Sequence, residues 1–586
     1  MRTRIGTRTV AAMVLGGFTT LPVLPAHADT AAEIRALRAN MEKQAARLKE
    51  LEAVVAKQRH ATNIANAAHA KGGAPVPPPV FVSFKNGLFV ETEDKAYSFK
   101  IGGRVQVVGG GISDPLNGFA GQAGIRRARL SVEGEAAKIW FYKFEYDFAN
   151  TGVAGIRDAY LGIQHPALTP PFAKDPVYLQ VGNFKEPFSI EALNSGTILD
   201  FIERPLPVDA FAPQRHIGAA VGAYGDNWTT KVGVFSTSPE DASLNPARGV
   251  PGAFGVLRFP GNGTAANRWW QPTGGGQYLD VAARVTWAPI KDEHSLLHLG
   301  LSGRYHDPND ATGLSDNRVL SLGSKLRSEG NVLGQALLGT PDLSCGTVIV
   351  PVPAAVFNTT AIAGKCVNNV ESFGAELAVA YGPVSVRAEY LGSRYNRNAG
   401  ALAQAALVQS LTPNGVFIPG AAFVPNGTSH YFDGYYVTGQ WWLTGEEIAA
   451  SYNVKSKNGA SFSQVKIKDP LSKGGFGAWG LAARFSSINL DSGPFHGQNL
   501  NNLLYYTTIV APNPAARAYI ANAGIVGGRQ QNLTVGVNWY PDNGVHFQAN
   551  WTRVMNVSAP FNLNPAQGYF SGSHPNLFQV SAQVYW

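Results

Sequence analysis

Residues 139–148 alternate without a break: Trp140, Tyr142, Phe144, Tyr146 and Phe148 fall on one parity, and Lys143, Glu145 and Asp147 on the other. A period of two marks an extended strand whose faces meet different surroundings. The same pattern sets Tyr97, Phe99, Ile101, Val105 and Val107 against Lys100, Arg104 and Gln106, and Leu279, Val281, Val285 and Trp287 against Asp280, Arg284 and Thr286. It returns in Val384, Val386, Ala388 and Tyr390 against Arg387 and Glu389, and in Leu533, Val535, Val537 and Trp539. One such strand suits a soluble sandwich as well as a barrel wall. Many of them, with aromatics gathered at segment ends where girdles meet lipid headgroups, point to a membrane barrel. Away from the N-terminus no apolar run approaches the ~18 residues of a spanning helix, so a closed barrel is the remaining way to cross a bilayer. Composition agrees: 15% charged residues is well below the usual quarter of a soluble protein, while 65 Gly and 11% aromatics are abundant.

Counting the alternating segments gives sixteen antiparallel strands, an even number as a closed bacterial barrel requires. They start near residues 96, 124, 139, 156, 177, 216, 228, 278, 295, 370, 384, 431, 476, 529, 545 and 575. Short turn signals (Gly225-Asp226-Asn227, Gly382-Pro383, Pro541-Asp542-Asn543) alternate with long polar excursions, the asymmetry of an outer-membrane barrel. The last strand alternates through Phe578, Val580, Ala582 and Val584 to a terminal Trp586.

Ahead of the barrel, residues 1–28 read as a signal peptide: Arg2, Arg4 and Arg8, an apolar stretch from Val10 to Val23, and the small-x-small site Ala26-His27-Ala28. Its removal lowers the formal net charge from +8 to about +5, too mild an excess to argue for nucleic acid. Within 29–62, Ile34, Met41, Leu48 and Val55 recur every seven residues with Leu37 and Leu51 on the companion seam, which predicts a short periplasmic coiled coil. Gln44 and Gln58 interrupt that seam, so the helix gains stability by joining copies of itself or by lying on another surface. Residues 63–81 contain KGGAPVPPPV, a flexible and then stiff linker, and 82–586 is assigned to the barrel. Cys345 and Cys366, without CxxC spacing or nearby His, are candidates for a loop disulfide in an oxidising compartment.

The chain resembles the phosphate-selective porin O/P family of Gram-negative outer membranes in several blocks. These are Ile125–Gly134 (IRRARLSVEG), Lys143–Asn150 (KFEYDFAN), Arg157–Leu161 (RDAYL), VGNFKEPFSIE (181–191) and FIERPLPVDAFAPQRHIG (201–218). Further ones are GYYVTGQWWLTGE (434–446), GAWGLAARFS (477–486) and GVNWYPDN (536–543). The resemblance implies a trimer of 16-stranded barrels whose third loop, near 184–215, folds inward and carries Lys185, Arg204 and Arg215 to the constriction. It implies too an electropositive lumen, for which parity selects Lys100, Arg104, Arg127, Arg129, Lys143, Lys231, Arg284, Arg304, Arg387 and Arg484.

A phosphate filter needs convergent guanidinium and ammonium groups to replace the water of a multivalent oxyanion. Lys185, Arg204, Arg215, Arg127, Arg129, Arg104 and Lys143 are the candidates. Against them stand Glu133, Glu145 and Asp147 on the same parity, with Glu135, Asp280, Glu376, Glu389 and the loop acids Glu186, Glu191, Asp200, Glu203 and Asp209. Thirteen bases and twelve acids nearly balance, so each Arg is either an anion contact or a salt-bridged brace. Arg126 and Arg553 fall on the lipid parity and are assigned to anionic headgroups, lipopolysaccharide included. Trp269 and Trp270 are a sugar platform or a loop anchor. The expected function is passive diffusion of small hydrophilic solutes, anions such as phosphate foremost. The alternative is a weakly selective porin whose coiled coil links it to peptidoglycan. An enzyme is not expected: His298 and Ser302 lie about 14 Å apart along one strand. No motif calls for a metal or cofactor.

Overall fold

The computed structural model describes residues 79–84, 87–114, 118–149, 155–171, 174–236, 279–308, 329, 337–340, 343, 367–400, 428–492, 525–558 and 574–586. The expected signal peptide and coiled coil, most of the expected linker, Trp269, Trp270 and the Cys345/Cys366 pair lie outside them. In chain order the strands are β1 (Val80–Phe84), β2 (Leu88–Thr92), β3 (Tyr97–Asp114), β4 (Gly118–Ala136), β5 (Trp140–Asp147), β6 (Ile156–Gln164), β7 (Tyr178–Lys185) and β8 (Arg215–Tyr224). Then come β9 (Trp228–Phe235), β10 (Leu279–Lys291), β11 (Ser295–Asp307), β12 (Val367–Tyr381), β13 (Val384–Arg397) and β14 (Ser429–Trp442). Two short strands, β15 (Tyr452–Asn453) and β16 (Ser461–Phe462), precede β17 (Ala478–Ser492), β18 (Ile525–Tyr540), β19 (Val545–Ser558) and β20 (Asn576–Tyr585).

Sixteen of these, β3–β14 and β17–β20, pair antiparallel with their sequence neighbours and close through β20 and β3, from Tyr585 opposite Arg104 to Asn576 opposite Ser113. Closure gives each of these sixteen wall strands a partner on both sides, as a sheet in lipid requires. The expected starts are met within a few residues. The largest differences are β4, which begins at Gly118 rather than near 124 because GFAGQAG carries no alternation, and β18, which begins at Ile525 rather than near 529. The linker ends sooner than expected: Val80 and Phe81 already belong to β1, and the β1–β2 hairpin extends the sheet by pairing Leu88–Glu91 with Ser98–Ile101 of β3.

Parity has physical content in the wall. On β10, Val281, Val285 and Trp287 are 38%, 51% and 51% exposed outward, whereas Asp280, Ala282, Arg284 and Thr286 are 0%, 0%, 4% and 2% exposed and face the lumen. One register slip overturns an expectation. Gln106 pairs with Arg127 but Val107 pairs with Ile125, so Arg126 is the extra residue of a β-bulge. Arg126 therefore turns inward beside Arg127, its Nε 3.0 Å from Glu203 Oε1, instead of reaching lipid headgroups.

The lumen is filled from both ends. Between β7 and β8, residues 186–214 fold inward with a helical turn at Ile190–Leu193 and a short helix at Leu206–Phe211. Phe188, Leu206, Val208 and Phe211 pack on Leu391, Tyr395, Phe432, Tyr436 and Ile488 of the wall and on Leu337, Leu338 and Leu343 of the β11–β12 connection. The turn side is not uniformly short: residues 443–477, between β14 and β17, fold back and bury Tyr452, Val454, Ala460, Phe462, Val465 and Ile467 against Ile190 and wall residues including Trp442 and Tyr540.

The seam closes on Trp586, which exchanges both backbone hydrogen bonds with Gly103 at 3.0 Å each. A Cβ at Gly103 would lie 2.3 Å from the Trp586 ring, so the indole fits only over glycine. Gly103→Leu is expected to displace the ring and destabilise the barrel by about 1–3 kcal/mol, read as a lower melting point of heat-modifiable migration.

Candidate functional site

The inward segments meet in a neck. Ser189 starts the 186–214 turn at φ 61°, and its Oγ accepts from Ala192 N at 3.1 Å. Glu389 of β13 holds the turn from the wall, its Oε1 accepting from Glu191 N at 3.0 Å and from Tyr436 Oη at 2.7 Å. Further along, Arg387 pairs with Asp200 and lies 3.6 Å from Glu191. Glu329, from the β11–β12 connection, caps the Leu206–Phe211 helix through Leu206 N at 3.2 Å and pairs with Arg484 at 2.9 Å. From the opposite end, Phe462 N donates to Asn194 Oδ1 at 3.0 Å, joining the two inward segments.

Between them lies a cavity of about 190 Å³ lined by Arg104, Arg127, Arg129, Lys143, Lys185, Arg204 and Arg215, with Glu145, Asp158 and Glu186 as its carboxylates. The seven basic residues singled out in the sequence thus share one cavity, although they come from β3, β4, β5, β7, β8 and the inward loop. They divide by partner. Arg129 is braced by Glu145 and Asp147 at 2.8 Å each, Lys143 by Glu133 at 3.2 Å, and Arg215 by Asp158 at 2.7 Å. Glu133, Glu145 and Asp147 accordingly act as counter-charges to these three.

The other four have no carboxylate oxygen within 4.0 Å among the described residues. Lys185 spends its three donors on the carbonyls of Ala192, Leu193 and Asn194 at 2.6, 3.0 and 3.1 Å. Arg204 reaches the carbonyls of Glu191 and Asn194 at 3.0 and 3.1 Å. Arg104 donates to Gly196 O at 2.7 Å, where a Cβ on Gly196 would come within 2.7 Å of the guanidinium. Among the described residues Arg127 has one hydrogen bond, from Nη1 to Gln106 Oε1 at 2.5 Å. Carbonyl and amide oxygens solvate these side chains without bringing an opposing formal charge. Lys185 has its donors spent, whereas Arg127 retains donors to offer.

Parity also selects Asp158, which was not singled out although it lies in the RDAYL block, because Leu161 is outward and even positions of β6 face in. Asn458, Ser461 and Phe462 of the neck had no signal, since nothing in 443–477 announces a turn that re-enters a barrel. His298 does not approach Ser302 as a base: its Nδ1 meets Tyr452 Oη at 2.6 Å and its Nε2 meets Glu376 at 3.2 Å.

The 443–477 segment is pinned by Lys457 O, which accepts from Tyr178 Oη at 3.0 Å and Lys231 Nζ at 2.9 Å, and by Ala460 O, which accepts from Arg284 at 3.2 Å. Replacing residues 455–460 by a two-glycine link is expected to raise single-channel conductance at least about twofold by removing one side of the neck. Asp209, on the Leu206–Phe211 helix, is pushed up to about 7 by burial, with Glu203 adding to the rise and Arg204 and Arg126 opposing it. Raising the pH through that value adds a negative charge beside Arg204. Anion preference, read as a reversal potential, is therefore expected to fall between about pH 6 and pH 8, and Asp209→Asn to remove that step.

The family model described as Phosphate-selective porin O and P matches residues 99–334 and 355–586. Porin O of Pseudomonas aeruginosa is 24% identical over 492 residues, covering 81% of this chain and 87% of its own length. Among solved structures, OmpT of Vibrio cholerae is 10% identical with a TM-score of 0.37, covering 84% of this chain and 98% of its own. An anion-selective porin from Comamonas acidovorans is 8% identical with a TM-score of 0.38, covering 84% of this chain and 100% of its own. The match over most of the sequence and the closed sixteen-stranded wall lead to one conclusion: the chain belongs to the phosphate-selective porin O and P family of outer-membrane channels.

Proposed function

We propose that this channel prefers small anions, and phosphate-like oxyanions among them. The observation that carries the reading is the division of the neck cations: Arg104, Arg127, Lys185 and Arg204 line one cavity with no carboxylate in ion-pair range among the described residues. An oxyanion entering so small a cavity sheds water, and a guanidinium with spare donors replaces that water with paired, charge-assisted hydrogen bonds. A cation entering the same neck meets the uncancelled field and is excluded. The braced cations Arg129, Lys143 and Arg215 fix the wall, and their acids keep the field from extending evenly around the neck.

Assembly as a homotrimer is part of the same proposal. It is supported by the heptad repeat at Ile34, Met41, Leu48 and Val55, which favours association of copies of the chain. Passage needs no covalent chemistry, since the neck offers charge and hydrogen bonds and the driving force is the solute gradient.

The reversal potential of the purified channel in a planar bilayer under a KCl gradient, followed by phosphate titration, tests the reading. Chloride preference with block by sub-millimolar phosphate is expected. Arg127→Gln should lower the anion-to-cation permeability ratio by roughly three- to tenfold, whereas Arg553→Gln, on the outward face, should leave it unchanged. Equal permeability to potassium and chloride in the wild type would contradict the proposal.

A further inference from the structure

We infer that Gln106 sets the charge of the neck: its neutral amide holds Arg104 and Arg127 side by side without neutralising them, at a position where a carboxylate would cancel the anion site. The inference rests on the anion-channel reading above and adds a specificity-determining residue to it.

Gln106 lies on the lumen face of β3 and is 1% exposed. Its Oε1 accepts from Arg127 Nη1 at 2.5 Å and from Arg104 Nη2 at 3.0 Å, and its Nε2 donates to Ser581 Oγ at 2.9 Å. Because a guanidinium can only donate, the two arginines fix which end of the amide faces them. A second amide continues the arrangement: Gln583 Oε1 accepts from Arg104 Nη2 at 2.6 Å, while its Nε2 meets His546 Nδ1 at 2.6 Å and Thr197 O at 3.2 Å.

The contrast with other lumen arginines gives this its meaning. Arg284 meets Glu376 at 2.6 Å, Arg304 meets Asp280 at 2.6 Å and Arg484 meets Glu329 at 2.9 Å. Around the neck, the register sets Arg104 opposite Arg129 and Gln106 opposite Arg127, so with the bulged Arg126 four like charges crowd two adjacent strands, of which Arg126 and Arg129 are paired with carboxylates. Such crowding is unfavourable, and an acid at 106 would relieve it most directly. Glutamine relieves it by solvation alone and leaves both charges for a passing anion.

Glutamate has the shape of glutamine, and the Ser581 hydroxyl can turn to donate to it, so Gln106→Glu changes charge with little change in packing. Reversal potentials of full-length wild type, Gln106→Glu and Gln106→Met under a KCl gradient test the inference. Gln106→Glu is expected to lower the anion-to-cation ratio on the order of tenfold, and Gln106→Met, which keeps both charges but removes the amide that holds them, to lower it by less, about threefold. Gln583→Glu, which sets a carboxylate against Arg104 from β20, should shift the ratio the same way and serves if Gln106→Glu does not assemble. A wild-type ratio in the glutamate variants would overturn the role of Gln106, as would a loss in Gln106→Met equal to that in Gln106→Glu. A wild type without anion preference would instead contradict the channel reading, and the shift from wild type to Gln106→Glu would still test Gln106.

Discussion

A positive charge inside a closed barrel has to be solvated, and whether the solvating group is a carboxylate or a neutral oxygen decides how much of that charge is cancelled. Where a carboxylate does the work, as Glu376 does for Arg284, the pair is a brace that holds the wall and presents little net field. Where carbonyl and amide oxygens do it, as for Lys185, Arg204, Arg104 and Arg127, the charge survives. Both solutions meet in the cavity between the inward segments, where Arg129, Lys143 and Arg215 are braced by carboxylates and Arg104, Arg127, Lys185 and Arg204 are not.

That arrangement depends on how the inward segments are held. The carbonyls of residues 191–194 can solvate Lys185 and Arg204 only because Glu389, Arg387 and Glu329 anchor the loop to the wall and the apolar contacts of Phe188, Leu206 and Phe211 bury its other side. The 443–477 segment fixes the same geometry from below through Asn194 and Phe462. Apolar residues on the lumen face thus serve as docking ground for the loops, which is why the interior is not uniformly polar.

Much of this was legible in the sequence because lipid and water impose a period of two on every wall strand. Parity located the sixteen strands and turned Arg284, Arg304, Arg387 and Arg484 inward without knowledge of their partners. It failed where that period breaks or where partners come from afar. The bulge at Arg126 adds one residue and reverses its face, a change that no local pattern announces. Glu329 and the 443–477 segment act far along the chain from their partners, so their roles exist only in the closed fold. The near-equality of acids and bases says little by itself, because a count cannot distinguish an Arg facing a carboxylate from one facing a glutamine. Gln106 was visible as a polar residue on the lumen parity, yet its importance comes from the two guanidiniums that converge on it.

The central claim is that a mobile anion completes the neck where no carboxylate does. Anomalous diffraction from crystals of the full chain grown in sodium bromide locates such an ion directly. The account predicts a bromide peak in the cavity between Arg104 and Arg127, within roughly 3.5 Å of guanidinium nitrogens. Bromide peaks confined to the outer surface, with none in the cavity, would contradict it.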